Sequence, residues 1–305
     1  MKLSAYAKIN LCLDITGRRA DGYHELSMLM QSLALGDDIE LRAVSDEETA
    51  LVILPDSRSG GAGELAASAA GDNLMLKAFR LLKERCGFTG GVQILLRKNI
   101  PVVAGLGGGS ADAAAMLKGL NALYSLGLTQ EELEVLGLKL GADVPFALRG
   151  GTAIARGVGE KLESIESRLH LPVLLVKPAA GISTPAAYRA YDALTDQAGA
   201  DAGARETLRR PETEAAARAM REGSIDGLCA AMGNVLEPVG EAMVPSVARI
   251  REEMRRAGAR IAMMSGSGPT VFGLFEDRAA CGSAAAYFEG LRKELSLSDV
   301  IETEF

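Results

Sequence analysis

The sequence predicts an α+β protein in two domains, and three observations carry that prediction. At 305 residues, the chain has room for two domains of roughly 150 residues each. Its first third is rich in strand patterns. Beyond that, strand and helix patterns mix without the strict strand–helix–strand rhythm of a parallel doubly wound sheet. A boundary falls near residues 150–170, giving an N-terminal domain of 1–155 and a C-terminal domain of 156–305.

Residues 2–16 alternate in polarity, with Ile9, Leu11, Leu13 and Ile15 on one face, which is the period of a half-buried strand. Turns are expected at Thr16–Gly17 and Asp21–Gly22, then strands over 26–35, 39–44, 49–54 and 92–97. Leu74, Ala78, Leu81 and Leu82 recur at helical spacing and predict a helix over 73–86. The stretch 55–72 has little periodicity and reads as a surface loop. Ala113, Met116, Leu117, Leu120, Leu123 and Tyr124 predict a helix over 111–126, with Gly127 placed to end it. The next helix opens with the capping-box pattern Thr129 to Glu132 and ends near Gly141. A buried strand is expected at 171–176, a loop at 195–214, and helices at 212–222, 224–233 and 241–257. Residues 260–277 read as strand, tight glycine turn, strand.

Composition narrows the function. A net charge of -7 argues against an extended nucleic-acid surface, which needs clustered Lys and Arg. The basic runs at Arg209–Arg210 and 249–260 are interleaved with Glu and suit solvated helix faces. Cys12, Cys86, Cys229 and Cys281 are too far apart for a CxxC metal or redox pair. The N-terminus MKLSAYAKINLCLDI lacks the continuous apolar core of a signal peptide, and nothing offers about 18 consecutive apolar residues for a bilayer span. The expectation is a cytoplasmic enzyme or binding protein, without membrane or nucleic acid, as a monomer or weak homodimer.

PVVAGLGGGSADAAAML, residues 101–117, is the most unusual stretch. Gly105, Gly107, Gly108 and Gly109 let the backbone come close to an anion and adopt positive φ. The helix behind them presents unpaired N–H groups and the positive end of its dipole, so phosphate is the apt guest. Ser110 adds a hydroxyl for phosphate or Mg2+. A flexible hinge is the alternative. No Lys precedes Ser110 as a Walker A loop requires, and GxGxxG fails from both Gly105 and Gly107. Asp112 would repel a phosphate if it pointed inward, so it is expected to face away or to act through Mg2+.

PVVAGLGGGSADAAA closely resembles the phosphate loop of the GHMP small-molecule kinases, which lack the Walker lysine. AYAKINLCLDITGRRADGYHEL, LGADVPFALRGGTAIARGVGE and MSGSGPTVFGLF resemble three further signatures of one branch, and order and spacing agree over nearly the whole chain. The resemblance implies a two-domain kinase with its active site in the cleft between domains. It implies ATP and Mg2+ as cofactors, and as acceptor the C2 hydroxyl of a cytidine-diphosphate-linked methylerythritol in the non-mevalonate isoprenoid route. Tyr6 stands where relatives often carry Pro, and Ala111 replaces a common second Ser.

The same resemblance distributes roles. Asp143, in GADVP at an element end, becomes the catalytic base or the carboxylate orienting the hydroxyl. Lys8, pointing away from its strand's apolar face, favours the charge building on the acceptor oxygen. Pro101, Gly105, Leu106, Gly107, Gly108, Gly109, Ser110 and Ala111 form the ATP phosphate site, with Ser110 as the metal candidate. Lys98 and Asn73–Leu74 surround the nucleotide's base and ribose. Tyr23 and His24 hold the cytosine ring, Tyr188 is a candidate for its opposite face, and Asn10 and Thr184 bond the substrate. The turn at 264–269 supports the phosphate loop, though on spacing alone it is equally a hairpin turn. A homoserine or mevalonate kinase, and a nucleotide-binding protein without turnover, are the competing readings.

Overall fold

A computed structural model of the chain describes residues 1–45, 49–54, 73–198 and 209–305, excepting the side chains of 196–198. The loop expected at 55–72 lies outside the described residues, as does half of that expected at 195–214, namely 199–208; of the rest, 195–198 and 213–214 are helical rather than loop. The described elements run β1 (Lys2–Arg18), β2 (His24–Val44), β3 (Ala50–Ile53), α1 (Leu74–Cys86), β4 (Gly91–Arg97), α2 (Gly108–Leu123), α3 (Gln130–Leu138), α4 (Val144–Arg149), β5 (Thr152–Gly157), β6 (Lys161–Ile165), β7 (Pro172–Pro178), α5 (Thr184–Ala198), α6 (Thr213–Glu222), α7 (Ile225–Ala231), β8 (Gly233–Asn234), α8 (Glu237–Met243), α9 (Ser246–Arg256), β9 (Ile261–Met264), β10 (Val271–Leu274), α10 (Arg278–Gly290) and β11 (Leu297–Glu304). The fold class is α+β.

The chain forms two compact units, one of Met1–Lys8, Ser32–Val102 and Gly107–Gly150, the other of Ile9–Gln31, Val103–Leu106 and Gly151–Phe305. In the first unit, strands follow the order β3-β4-β2-β1. β4 runs antiparallel to β2, with Ile39 opposite Leu96 and Leu41 opposite Ile94. These side chains are fully or almost fully buried, as are Met75, Ala78 and Leu82 of α1 and Met116, Leu117 and Leu120 of α2. Helix α1 begins where Asn73 accepts a hydrogen bond from the Met75 N–H, and ends at Gly87 in the left-handed region. Helix α3 carries the complete capping box of Thr129 and Glu132.

In the second unit, β8 pairs with β1, β2 with β5, and β5 with β6. A separate four-stranded antiparallel sheet is ordered β11-β7-β10-β9. The apolar run of β7 is buried from Val173 to Val176, and Phe272, Leu274 and Phe288 fill the same core. Several expectations need correction here. Residues 26–35 and 39–44 are one strand, β2, rather than two. The helix expected over 241–257 is two helices, because Pro245 lacks the N–H a continuous helix needs and caps α9 instead. Strand β1 is buried on both faces in its middle: Lys8, Asn10 and Cys12 are buried along with Ile9 and Leu11, Lys8 alone of these keeping a small exposed fraction. A polar row that is enclosed rather than solvated is the first sign of a site.

Candidate functional site

Helix α2 begins at Gly108, three residues earlier than periodicity predicts, so Gly108, Gly109 and Ser110 are its first turn rather than a loop before it. Its cap is Gly107, with φ of 71° and no side-chain hydrogen bond to the helix N–H groups. Those N–H groups, which have no intrahelical partner, therefore face outward without a competing side chain, the arrangement an anion needs. Bare backbone is also required from behind. A Cβ on Gly107 would meet Lys8 Cγ at 3.0 Å, and one on Gly108 would meet Ile100 Cγ2 at 3.0 Å.

The structure brings Lys8 to this mouth. Its stem lies along Gly107, and its Nζ is 3.5 Å from Asp143 Oδ2. Asp143 stands at the cap position of α4 yet makes no capping bond to that helix. Asp is a strong N-cap residue, and this one turns its carboxylate to Lys8 instead. A Cβ on Gly141 would lie 3.7 Å from Ser110 Oγ, so the Ser110 hydroxyl borders the segment that carries Asp143. Backbone donors, an ammonium, a hydroxyl and a half-exposed carboxylate thus converge within one unit. Leu74 is adjacent too, its Cδ1 3.8 Å from where a Gly109 Cβ would be, whereas the Asn73 side chain is engaged as the cap of α1.

Behind the mouth lies a buried charged cluster that the sequence does not announce. Lys98 Nζ donates to Asp37 Oδ2 and, at 2.7 Å, to Asp112 Oδ2. Asp37 Oδ1 accepts from the Asn99 and Ile100 N–H groups at 2.6 and 2.8 Å. Asp112 accordingly faces away from the mouth. Burial pushes its carboxyl up to about 7, with Asp37 adding to the effect and Lys98 opposing it. Burial pulls the Lys98 ammonium down, and the two carboxylates more than offset this, so it ends above its ordinary value. Lys98 Nζ sits 3.4 Å from where a Gly108 Cβ would be, directly beneath the first turn.

In the other unit, the stretch 103–106 is held by the turn at 264–269. Ser265 Oγ donates to the Gly105 carbonyl at 3.0 Å, and Asn234 donates to the carbonyls of Met264 and Gly266 at 2.8 Å each. Gly105 has φ of 75°, and a Cβ there would come 2.2 Å from the Ser265 carbonyl oxygen, so no side chain fits. Val103, 60% exposed, takes φ of 50°, a strained choice for a β-branched residue and the kind of outlier that marks working sites. Leu106 and Ala111 are buried, as is Pro101. Thr184 shares a 2.8 Å hydrogen bond with Ser267 of the same turn. His24 bonds Asp192 at 2.7 Å and stacks on Tyr188 at 4.9 Å between ring centroids. Asn10 is buried with its Nδ2 3.3 Å from Met28 Sδ, while the Tyr23 ring is 67% exposed.

Two family models match the chain: "GHMP kinases N terminal domain" over residues 73–151 and "GHMP kinases C terminal" over 216–288. A Bacillus cytotoxicus protein named 4-diphosphocytidyl-2-C-methyl-D-erythritol kinase is 44% identical over 90% of this chain and 88% of its own length. A Caldicellulosiruptor saccharolyticus protein of the same name is 40% identical over 100% and 98%. The chain belongs to the GHMP kinases. A crystal structure of a 4-(cytidine 5'-diphospho)-2C-methyl-D-erythritol kinase shares 34% identity and superposes with a TM-score of 0.78, over 100% of this chain and 98% of that one.

As a GHMP kinase the chain is a small-molecule kinase that uses ATP. Among the described residues, no helix is long and apolar enough to cross a membrane, and no three His, Cys, Asp or Glu side chains cluster as a metal cage. Sequence reasoning missed Asp37, Asn234 and Asp192. Each acts through a partner distant in the chain, 61 residues for Asp37 and Lys98 and 168 for His24 and Asp192, and none sits in a recognisable pattern.

Proposed function

We propose that the chain transfers the γ-phosphoryl group of ATP to the C2 hydroxyl of 4-diphosphocytidyl-2-C-methyl-D-erythritol, in the cytoplasm, on the non-mevalonate route to isoprenoid precursors. The observation that carries this reading is the Lys8–Asp143 pair, 3.5 Å apart, with the Lys8 stem against the glycine that caps α2. The names of relatives 40–44% identical over most of the chain supply the substrate.

Phosphoryl transfer asks the protein for position and charge more than for covalent chemistry. In this reading Asp143 orients the acceptor hydroxyl and takes its proton as the bond to phosphorus forms. Lys8 stabilises the oxygen while it carries negative charge. Gly105, Leu106, Gly107, Gly108, Gly109, Ser110 and Ala111 hold the phosphates through backbone N–H groups, with Pro101 setting the approach. Mg2+ would neutralise phosphate charge, with the Ser110 hydroxyl as its protein ligand. Leu74, with Asn73, borders the nucleoside; Lys98 acts on the nucleotide site from beneath α2. Tyr23, His24 and Tyr188 take the cytosine, and Asn10 and Thr184 the rest of the acceptor. One family model falls within 1–155 and the other within 156–305, which supports reading these as the N- and C-terminal domains, with 9–31, 103–106 and 151–155 packing in the same compact unit as the C-terminal part.

The test offers the purified protein ATP with the cytidyl substrate, mevalonate or homoserine, and follows ADP release. Turnover with the first alone is expected. Turnover with either of the others at equal or greater kcat/KM overturns the assignment.

A further inference from the structure

The start of α8 braces the turn at 264–269 from outside its sheet. Met264 ends β9, the outermost strand of the order β11-β7-β10-β9, and the next N–H, that of Ser265, turns inward to the Thr270 carbonyl at 2.9 Å. N–H groups alternate along a strand, so that of Met264 points out of the sheet. Glu237, the first residue of α8, accepts it at 2.8 Å through Oε2, while Glu237 Oε1 lies 3.0 Å from the Arg251 guanidinium of α9. Asn234, just before α8, is buried and its amide is engaged at both ends. Nδ2 donates to the carbonyls of Met264 and Gly266, and Oδ1 accepts from the Leu236 N–H at 2.9 Å. The path ends at Ser265, whose Oγ donates to the Gly105 carbonyl at 3.0 Å.

A trans peptide is planar and carries its C=O and N–H on opposite edges. The Gly105 carbonyl and the Leu106 N–H belong to one such peptide. The bond that draws the carbonyl to Ser265 therefore aims the Leu106 N–H the opposite way. Leu106 is 1% exposed, and its N–H meets no partner among the described residues. A buried donor left without a protein partner calls for an acceptor from elsewhere. Nothing local holds this peptide in place, since Gly105, at φ of 75°, is equally at ease in other conformations. Val103, at φ of 50°, adds strain two residues before it. We infer that Asn234 and Glu237 are positioning residues of the kinase: they shape the turn so that Ser265 holds the Gly105–Leu106 peptide in one orientation, its N–H presented to a phosphate oxygen. The inference deepens the proposed function and rests on its reading of 105–111 as the phosphate site.

Steady-state kinetics of the full chain, with circular dichroism melts to confirm folding, tests the path link by link. A hydrogen bond to a charged group is worth about 10- to 100-fold in affinity. Ser265→Ala is expected to raise KM for ATP by that factor, while kcat and the KM for the cytidyl substrate stay within about 2-fold, the pattern of lost ground-state binding. Asn234→Asp, which sets a carboxylate against two carbonyls, and Glu237→Leu should show the same split. Glu237→Gln, whose amide oxygen still accepts from the Met264 N–H, should recover most of the loss. In the Ser265→Ala background, Asn234→Asp and Glu237→Leu are expected to add less than about 2-fold, because the path is already cut. Should Asn234→Asp not fold, the Glu237 pair decides. An unchanged KM for ATP in Ser265→Ala, effects that multiply fully in the double variants, or a Glu237→Gln protein no better than Glu237→Leu overturns the inference. A protein that phosphorylates mevalonate or homoserine instead loses the substrate assignment and leaves this inference standing, because it concerns the grip on ATP alone.

Discussion

Gly107→Ala separates the role of the helix mouth from that of the fold. Gly107 has φ of 71°, a region where a side chain costs about 1–2 kcal/mol. At about 2–4 °C per kcal/mol for a chain of this order of size, Tm falls by a few degrees. The larger consequence is local. The new methyl would stand 3.0 Å from Lys8 Cγ and 3.2 Å from Cε, inside ordinary contact distance, so the flexible Lys8 stem gives way. Its ammonium is the group 3.5 Å from Asp143. A displacement of about 1 Å at a reacting centre costs about 10^2-fold in rate. The expected variant is folded, melts slightly early and loses about 10^2-fold in kcat at saturating ATP, a loss comparable in kind to that of Lys8→Met. Circular dichroism melts and a coupled ADP-release assay measure both. Near-normal kcat in a folded Gly107→Ala protein would refute the idea that Lys8 works from the position this glycine leaves open.

Four further outcomes are expected. Asp143→Asn makes no capping bond to lose, so it should match the unaltered melt while kcat falls about 10^2-fold or more. Gly105→Ala meets backbone rather than a flexible side chain, with the Ser265 carbonyl at 2.2 Å; backbone strain and overpacking together predict about 2–5 kcal/mol of destabilisation in denaturant titration, more than for Gly107→Ala. Lys98→Met strands the buried Asp37 and Asp112 carboxyls against each other; a loss of about 3–5 kcal/mol is expected at neutral pH, partly recovered when Asp112→Asn is added. Burial pushes the Cys12 thiol up to about 12, so at pH 8 its thiolate fraction is on the order of 10^-4 and mass spectrometry should find Cys12 alkylated only after unfolding. Because the folded value lies above the ordinary one, this thiol leaves stability untouched below about pH 9 and lowers it as pH rises towards 12.

Much of the fold was legible where side chains repeat with the period of their element. Leu74, Ala78, Leu81 and Leu82 marked α1 to within a residue, and Thr129 with Glu132 marked the start of α3 through the bonds that form it. The errors have physical causes. Gly36–Asp37–Asp38 separates the two strands expected over 26–35 and 39–44, yet Asp37 meets Lys98 and the strand continues through it. Gly108 and Gly109 read as loop because glycine is a poor helix former, yet they open α2. Helix α5 opens at Thr184–Pro185 and went unassigned although Pro is well suited to a first turn. Strands β5, β6 and β11 and helices α4 and α10 also went unassigned, their patterns too short or too polar to stand out. At the site, resemblance named Lys8, Asp143 and His24 as candidates, whereas Asp37, Asn234 and Asp192 exist as partners only after folding.

The charged cluster explains how α2 can begin as it does. A helix meant to grip an anion cannot use a Ser, Thr or Asp cap, because the capping oxygen would occupy the N–H groups the anion needs; forgoing it gives up about 1 kcal/mol. Two glycines in the first turn give up about 1 kcal/mol each. Such an end would fray unless something behind it were rigid. Lys98 joins Asp112, just inside the helix, to Asp37, and Asp37 in turn fixes the backbone of Asn99 and Ile100, against which Gly108 packs. Stability is thus taken from a buried ionic cluster, where truncation of one member is costly, and placed at the one helix end that has to stay bare. In the proposed reading, a negative Asp112 this close to the phosphates would oppose ATP if it were free. Held by Lys98 on the buried side, with its own charge weakened by desolvation, it anchors the helix without repelling the phosphates.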